Sequence, residues 1–236
     1  MNSSILTERI VPFQCYPDRV RNTEGPLSGR RRQAARNDVE ILDAAREVFL
    51  ADPTASVAAV AARAKVGISA LYRRYPSKED LTRELAREGL ARYSAELERA
   101  LADDSDPWTV YAGCLGRILD GGSQALAQRL AGTFTPTHDL TELAGQAGTL
   151  ATAVHERAQR DGALRRDVSP EDVVLLLETL SAITLPGTDA GDALRHRYLA
   201  LLLQALRAPG AEPLPGEPAG PADFVARWRP APAPGD

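Results

Sequence analysis

The chain is poor in the residues that catalysis, metal binding and secretion draw on. Its 236 residues include two cysteines, Cys15 and Cys114, too few for a disulfide framework or a zinc set, and this usage fits a reducing cytoplasm. Cys114 reads as a small buried apolar residue. The three histidines, His138, His155 and His196, form no His-Glu-x-x-His or Cys/His metal pattern. His155-Glu156 reads as an ordinary helical surface pair. There is no phosphate loop, nucleophile elbow or dinucleotide fingerprint. The expectations are therefore no catalytic residues, no metal, no cofactor and no enzyme. No apolar run reaches the ~18 residues of a membrane span. The N-terminus lacks the charged start and apolar block of a secretory signal. Aromatic residues make up only 5% of the chain, which leaves few runs suited to strands.

What is abundant is alanine and leucine, both good helix formers, and the expected fold class is all-α. The helix starts are marked by capping chemistry. Asn37-Asp38-Val39-Glu40 reads as a capping box opening a helix through Ile41, Ala45, Val48 and Phe49 to about Ala51, where Asp52-Pro53 ends it. A second helix starts near Ser56 and buries Val57, Val60, Ala61 and Ala64. After a short turn, Lys65-Val66-Gly67, a third short helix carries Leu71. Ser77-Lys78-Glu79-Asp80 is a further capping box. It opens a long helix with the stripe Leu81, Leu85, Gly89, Tyr93, Leu97 and Leu101. Asp106-Pro107 supplies an N-cap and a proline at the first helical position of a helix that ends at Gly121-Gly122. Shorter and longer helices follow over about Gln124–Ala131 and Asp139–Arg160. Ser169-Pro170-Glu171-Asp172 opens an apolar helix that Pro186-Gly187 stops, and a last helix runs over about Asp192–Arg207.

Net charge is -4, which by itself argues against a nucleic-acid partner. Its distribution argues the other way. Residues 1–80 hold thirteen Lys/Arg against ten Asp/Glu, and the remainder fifteen against twenty-two. A basic N-terminal part on an acidic body is expected where one module meets phosphate. The spacing over residues 56–75 is that of a helix-turn-helix. Such a pair docks its second helix in the major groove, which accounts for an exposed face bearing Tyr72, Arg73 and Arg74.

On these residues the chain resembles the TetR-type transcriptional repressors. The matching pieces are Ile41, Ala44-Ala45 and Phe49; Val57, Val60-Ala61 and Ala64; and Val66, Leu71-Tyr72, Tyr75, Ser77-Lys78-Glu79 and Leu81, within about residues 38–82. Two positions depart from the pattern: Lys65, where the family usually has glycine, and Ser69, where it often does. Residues 1–29, without periodicity and rich in proline and glycine, read as a mobile extension, and the Pro/Gly/Ala-rich tail (209–236) as extended and mobile. Between them the resemblance implies a DNA-binding domain (30–80) and a helical ligand-binding and dimerisation bundle (81–208). It implies base-edge roles for Ile68, Ser69, Ala70, Arg73 and Arg74, and phosphate roles for Tyr72, Lys78 and Ser56. Lys65, Gly67 and Tyr75 complete the DNA-facing set, and Arg31 and Arg32, just before the motif, are candidates for phosphate or minor-groove contact.

The implied partners are a double-stranded operator, a small-molecule effector and a second copy of the chain, with no membrane. Tyr93, Trp108, Tyr111, Cys114, Phe134, His138 and His155 are the candidate pocket lining, since aromatic and mildly polar groups in an apolar bundle often line cavities. Val173, Leu176, Leu177, Leu180, Leu199, Leu202 and Leu206 are the candidate dimer surface. Two rival classes stand beside this reading: a DNA-binding regulator controlled by a protein partner, and a helical-bundle enzyme.

Overall fold

The computed structural model describes residues 29–183, 188–208, 212–220 and 222–223. Side chains of residues 29–37, 124, 125, 128 and 188–190 fall outside the description. So do Pro186-Gly187, the segment 224–228 and nearly all of the N-terminal extension. Contacts divide the chain into residues 1–36 and residues 37–236. Of the first unit, 29–36 are described, as the opening turns of α1.

Nine helices occur among the described residues: α1 (Gly29–Ala51), α2 (Val57–Arg63), α3 (Ile68–Arg74), α4 (Lys78–Ala102), α5 (Pro107–Gly121), α6 (Ser123–Leu130), α7 (His138–Arg160), α8 (Pro170–Ser181) and α9 (Thr188–Leu206). Extended pairing is limited, among those residues, to one bridge between Leu164 and Arg207. No described helix is long and apolar enough to cross a membrane.

Local chemistry sets most of the helix starts. Ser56 Oγ accepts from Ala59 N–H at 3.3 Å, and Asp106 accepts from Thr109 N–H at 2.8 Å with Pro107 next in line. Ser169 and Asp172 form the reciprocal box, at 3.0 and 2.9 Å. The box at Ser77 is only half made. Ser77 Oγ accepts from Asp80 N–H at 3.0 Å, but the Asp80 carboxylate takes the Ser77 hydroxyl proton rather than the backbone N–H. The expected start of α1 at Asn37 is wrong: the helix begins at Gly29 and runs through Asn37 without a break. Arg, Gln and Ala upstream are all good helix formers, so nothing there stops it.

Two apolar cores lie along α4. The first joins Phe49 of α1, Val60 of α2, Leu71 of α3, and Leu81 and Leu85 of α4 to Leu126, Leu130, Phe134 and Leu140 from the α6–α7 corner. The second gathers Leu97 of α4, Cys114 and Ile118 of α5, Val154 of α7, Leu177 of α8 and Leu199 of α9. The packing boundary therefore does not fall at residues 80/81, because the first core is closed by α6 and the start of α7.

Part of the tail is tied down rather than loose. Arg165, buried, forks onto Asp167 at 2.6 and 2.7 Å and also donates to Glu212 O at 2.9 Å. Asp167 accepts from Leu214 N–H, Asp172 accepts from Ala219 N–H, and Ser169 Oγ donates to Ala219 O. Residues 212–220 thus form a strap over the α7–α8 connection, held mostly through its own backbone.

Candidate nucleic-acid interface

The turn between α2 and α3 is a Schellman motif. Val66 N–H reaches Ala61 O at 3.0 Å and Lys65 N–H reaches Ala62 O at 3.2 Å. That pair of bonds requires a left-handed residue just after the helix, and Lys65 supplies it with φ 55°. It is the one non-glycine residue with positive φ among those described. Gly67, by contrast, is extended (φ -66°) and serves as the N-cap of α3 without a side-chain bond. A Cβ there would meet nothing within 4 Å. So the turn places its lysine where glycine is easiest and its glycine where serine would fit.

α3 hangs on two anchors, Leu71 (0% exposed) and Tyr75 (6%). Ile68, Ser69, Ala70, Tyr72, Arg73 and Arg74 are all exposed. With 3.6 residues per turn, Ser69 and Arg73 stack four apart on the side opposite Leu71, while Ile68 and Tyr72 flank them. Arg73 is exposed and makes no hydrogen bond or ion pair with any described residue. Arg74 is different. Its Nε and Nη2 donate to Asp38 Oδ1 and Oδ2 of α1, both at 2.9 Å, and its guanidinium lies 5.7 Å from the Tyr75 ring centre. Ser56 and Lys65 are exposed on the same head. The side chains of Arg31 and Arg32 lie outside the described residues.

Lys78 is half-buried. Its ammonium donates to Pro53 O at 2.9 Å and sits 5.1 Å from the Phe49 ring centre. One donor is thereby committed to the α1–α2 turn, and two remain. The turn itself is organised by Asp52, which accepts from Thr54 N–H and Oγ1 at 2.8 and 2.6 Å. Those bonds lower the Asp52 pKa. Neither Asp38 nor the Pro53 carbonyl was singled out from sequence, because both meet their partners across 25 or more positions.

The head is tied to the body through α4. Arg46 of α1 donates to Glu88 at 2.6 Å. Thr135, in the α6–α7 corner, gives its N–H to Glu79 and accepts Arg83 on its carbonyl, both at 3.2 Å. Arg87 pairs with Asp139 at 2.7 Å.

The candidate pocket residues separate. Tyr93, Trp108, Tyr111, Cys114 and His155 line or abut the second core. Phe134 belongs to the first core, and His138 is exposed beside Glu142, so neither faces the other five. His155 is buried and is no surface residue. Its Nε2 lies 2.8 Å from Val168 O, an acceptor only, so Nε2 carries the proton and Nδ1 accepts from Tyr111 Oη at 3.1 Å. Burial lowers the His155 pKa. It also pushes the Tyr93 phenol up to about 12 and the Cys114 thiol up to about 11. A cleft lined by Ala100, Val110, Tyr111, Val154 and Arg157 holds about 10 Å³, room for about one water molecule.

The candidate dimer residues are mostly spoken for. Val173, Leu177, Leu180, Leu199 and Leu206 are buried in the chain's own core, and Leu176 and Leu202 are half-buried against it. The outward apolar stripe on α9 is instead Leu194, Tyr198, Leu201 and Ala205, at helical spacing, with Tyr198 46% and Leu201 53% exposed.

Comparison with known proteins fits this geometry. Residues 41–85 match the model for bacterial regulatory proteins of the tetR family, and residues 107–208 match that for the SbtR-like transcriptional regulator C-terminal domain. The HTH-type transcriptional repressor LfrR of Mycolicibacterium smegmatis is 44% identical over 73 residues, covering 31% of this chain and 37% of that protein. The chain thus aligns with little more than a third of that curated relative. A TetR regulator from Streptomyces coelicolor superimposes with a TM-score of 0.53 at 26% identity, over 72% of this chain and 98% of that one. LfrR from Mycobacterium smegmatis, solved in complex with proflavine, gives a TM-score of 0.57 at 25% identity, over 76% and 99%. A Schellman-turned helix-turn-helix with its outer face free, on a helical body of matching pattern, makes this chain a member of the TetR family of DNA-binding transcriptional regulators.

Proposed function

We propose that the chain is a repressor that binds a palindromic operator as a homodimer and is released by a small molecule, acting in the cytoplasm without a catalytic step. The observation that carries this is the exposed outer face of α3, where Ser69 and Arg73 stand opposite the buried Leu71. Arg73 binds guanine O6 and N7, Ile68 and Ala70 touch thymine methyls, and Ser69 adds a hydroxyl. Tyr72, Ser56, Lys65 and the Gly67 backbone face phosphates, whereas Tyr75, expected among the DNA-facing residues, is buried as an anchor of the helix. Lys78 uses its two remaining donors for the same purpose, aimed by Pro53 O. Arg31 and Arg32 extend the contact along the backbone.

Two half-sites on one face of B-DNA need recognition helices about 34–36 Å apart, so tight binding requires a dimer. The outward α9 stripe around Tyr198 and Leu201 is its seam. Effector release works by differential affinity: a compound that opens the second core near Tyr111 and His155 favours a state in which α4 and the Thr135 corner carry the heads off register. Planar aromatic compounds of proflavine's kind are the first class to try, because a relative's structure contains one.

Selection of bound duplexes from a random pool tests the whole reading. A palindrome supports it, and a sequence-blind result refutes it. The cleft near Tyr111 holds only about 10 Å³, too little for a drug-sized effector unless the second core opens, so control by a protein partner remains the rival reading. A thermal-shift screen separates the two, since a ligand bound only by the folded state must raise its melting temperature.

A further inference from the structure

The two neighbouring arginines of α3 live in different surroundings. Arg73 has no described partner, whereas Arg74 is forked onto Asp38 with both bonds at 2.9 Å. In that geometry guanidinium and carboxylate fix each other's plane. The Tyr75 ring beside the same guanidinium adds a further restraint. α3 has seven residues and two buried anchors on one side. A rod so short, held along a single edge, can roll about its axis, and a planar fork onto α1 resists that roll. Asp38 also lies just outside residues 41–85, which match the family model.

A carboxylate beside a DNA-reading face weakens binding to DNA in general, because it cancels a cation and repels phosphate. Its benefit must lie in what it prevents. A free Arg74 at the edge of the face would take any backbone phosphate, raising affinity for every sequence alike. The margin between operator and bulk DNA would then shrink. We propose that Asp38 is a specificity-determining positioning residue: acting through Arg74, it fixes the roll of α3 so that Ser69 and Arg73 face the bases, and it withholds a second phosphate-seeking cation. The inference rests on the operator-binding reading above.

The test is anisotropy titration of the full chain on its selected operator and on a scrambled duplex of equal length, across a salt series. Asp38→Asn should bind the scrambled duplex more tightly, with a log–log salt slope steeper by about 0.9 for one added phosphate contact. The operator-to-scrambled ratio should fall roughly tenfold. Adding Arg74→Gln to Asp38→Asn should return the slope to the wild-type value, since the freed cation is gone. Equal gains on both duplexes, or an unchanged slope, overturn the proposal. Arg74→Gln alone provides a second arm should Asp38→Asn unfold the head. It should leave the scrambled-duplex slope unchanged while lowering the ratio, and a slope shallower by about 0.9 would show Arg74 already on a phosphate and end the argument. A wild-type chain that selects no sequence refutes the operator reading itself, which keeps the two failures apart.

Discussion

Replacing Lys65 by glycine should stabilise the protein, although it removes a surface charge and adds freedom to the unfolded chain. Lys65 closes the Schellman turn at φ 55°. A side chain there costs about 1–2 kcal/mol, because Cβ crowds the following carbonyl. Glycine takes the same angle freely. Against this, glycine widens the unfolded ensemble by about 0.4–1 kcal/mol. The net gain is about 0.5–1 kcal/mol, or about 2 °C in melting temperature for a chain of this size. Lys65→Ala is the control: it deletes the charge but keeps the strain, so its melting temperature should stay near wild type. Scanning calorimetry on the three proteins reads the difference directly. If Lys65→Gly melts no higher than Lys65→Ala, the left-handed strain inferred at this turn is absent. Both variants lose the same cation, so both should show a DNA salt slope shallower by about 0.9 if the ammonium sits on a phosphate.

Arg73→Ala should cost about 1–3 kcal/mol on the operator and relax choice at one base pair. Its melting temperature should not change, since the side chain is exposed and has no partner among the described residues; a loss shared by all sequences would contradict this. Lys78→Ala should weaken all duplexes alike and also lower the melting temperature, because Pro53 O loses its donor. A variant that binds more weakly without melting earlier would place Lys78 on DNA alone. His155 is held neutral with a lowered pKa, so the folded state binds fewer protons than the unfolded one. Its contribution is complete above the ordinary histidine value of about 6.5 and is lost as pH falls toward the depressed folded value. Urea titrations at pH 7.5 and 5 should show a smaller acid loss for His155→Gln, and equal losses would refute the assignment. Cys114, with its thiol raised to about 11 by burial, should resist thiol reagents in a Cys15→Ser background until the protein is unfolded.

What the sequence made legible follows from range. Caps at Ser56, Asp106 and Ser169 were readable because each needs one residue type three positions from its partner. That Lys65 stands where glycine is easiest was readable from the resemblance, since the family usually has glycine there; the left-handed angle itself came from the structure. Asp38 with Arg74, and Lys78 with Pro53 O, were not, since no local pattern joins positions 36 and 25 apart. The surface reading of His155 failed for a different reason. Half-buried Ala151 and buried His155 and Ala158 share the inward helical face, but alanine is a weak marker of which side is inward. On α8 and α9 the leucines run nearly all round the helix, so periodicity could not separate core from seam. Only the packing shows that Leu199 turns in and Leu201 out.

The way the first core is completed bears on how such proteins can be recombined. Phe49, Leu81 and Leu85 are sealed by Leu126, Leu130, Phe134 and Leu140, which lie well beyond the head along the chain. A reading head moved to another family member with residues through 90 alone would arrive with an apolar socket shaped for a corner left behind. Chimeras that exchange operator preference should therefore carry the 123–140 segment with the head or redesign it to fit. Grafts confined to the outward positions of α3 avoid the seam altogether.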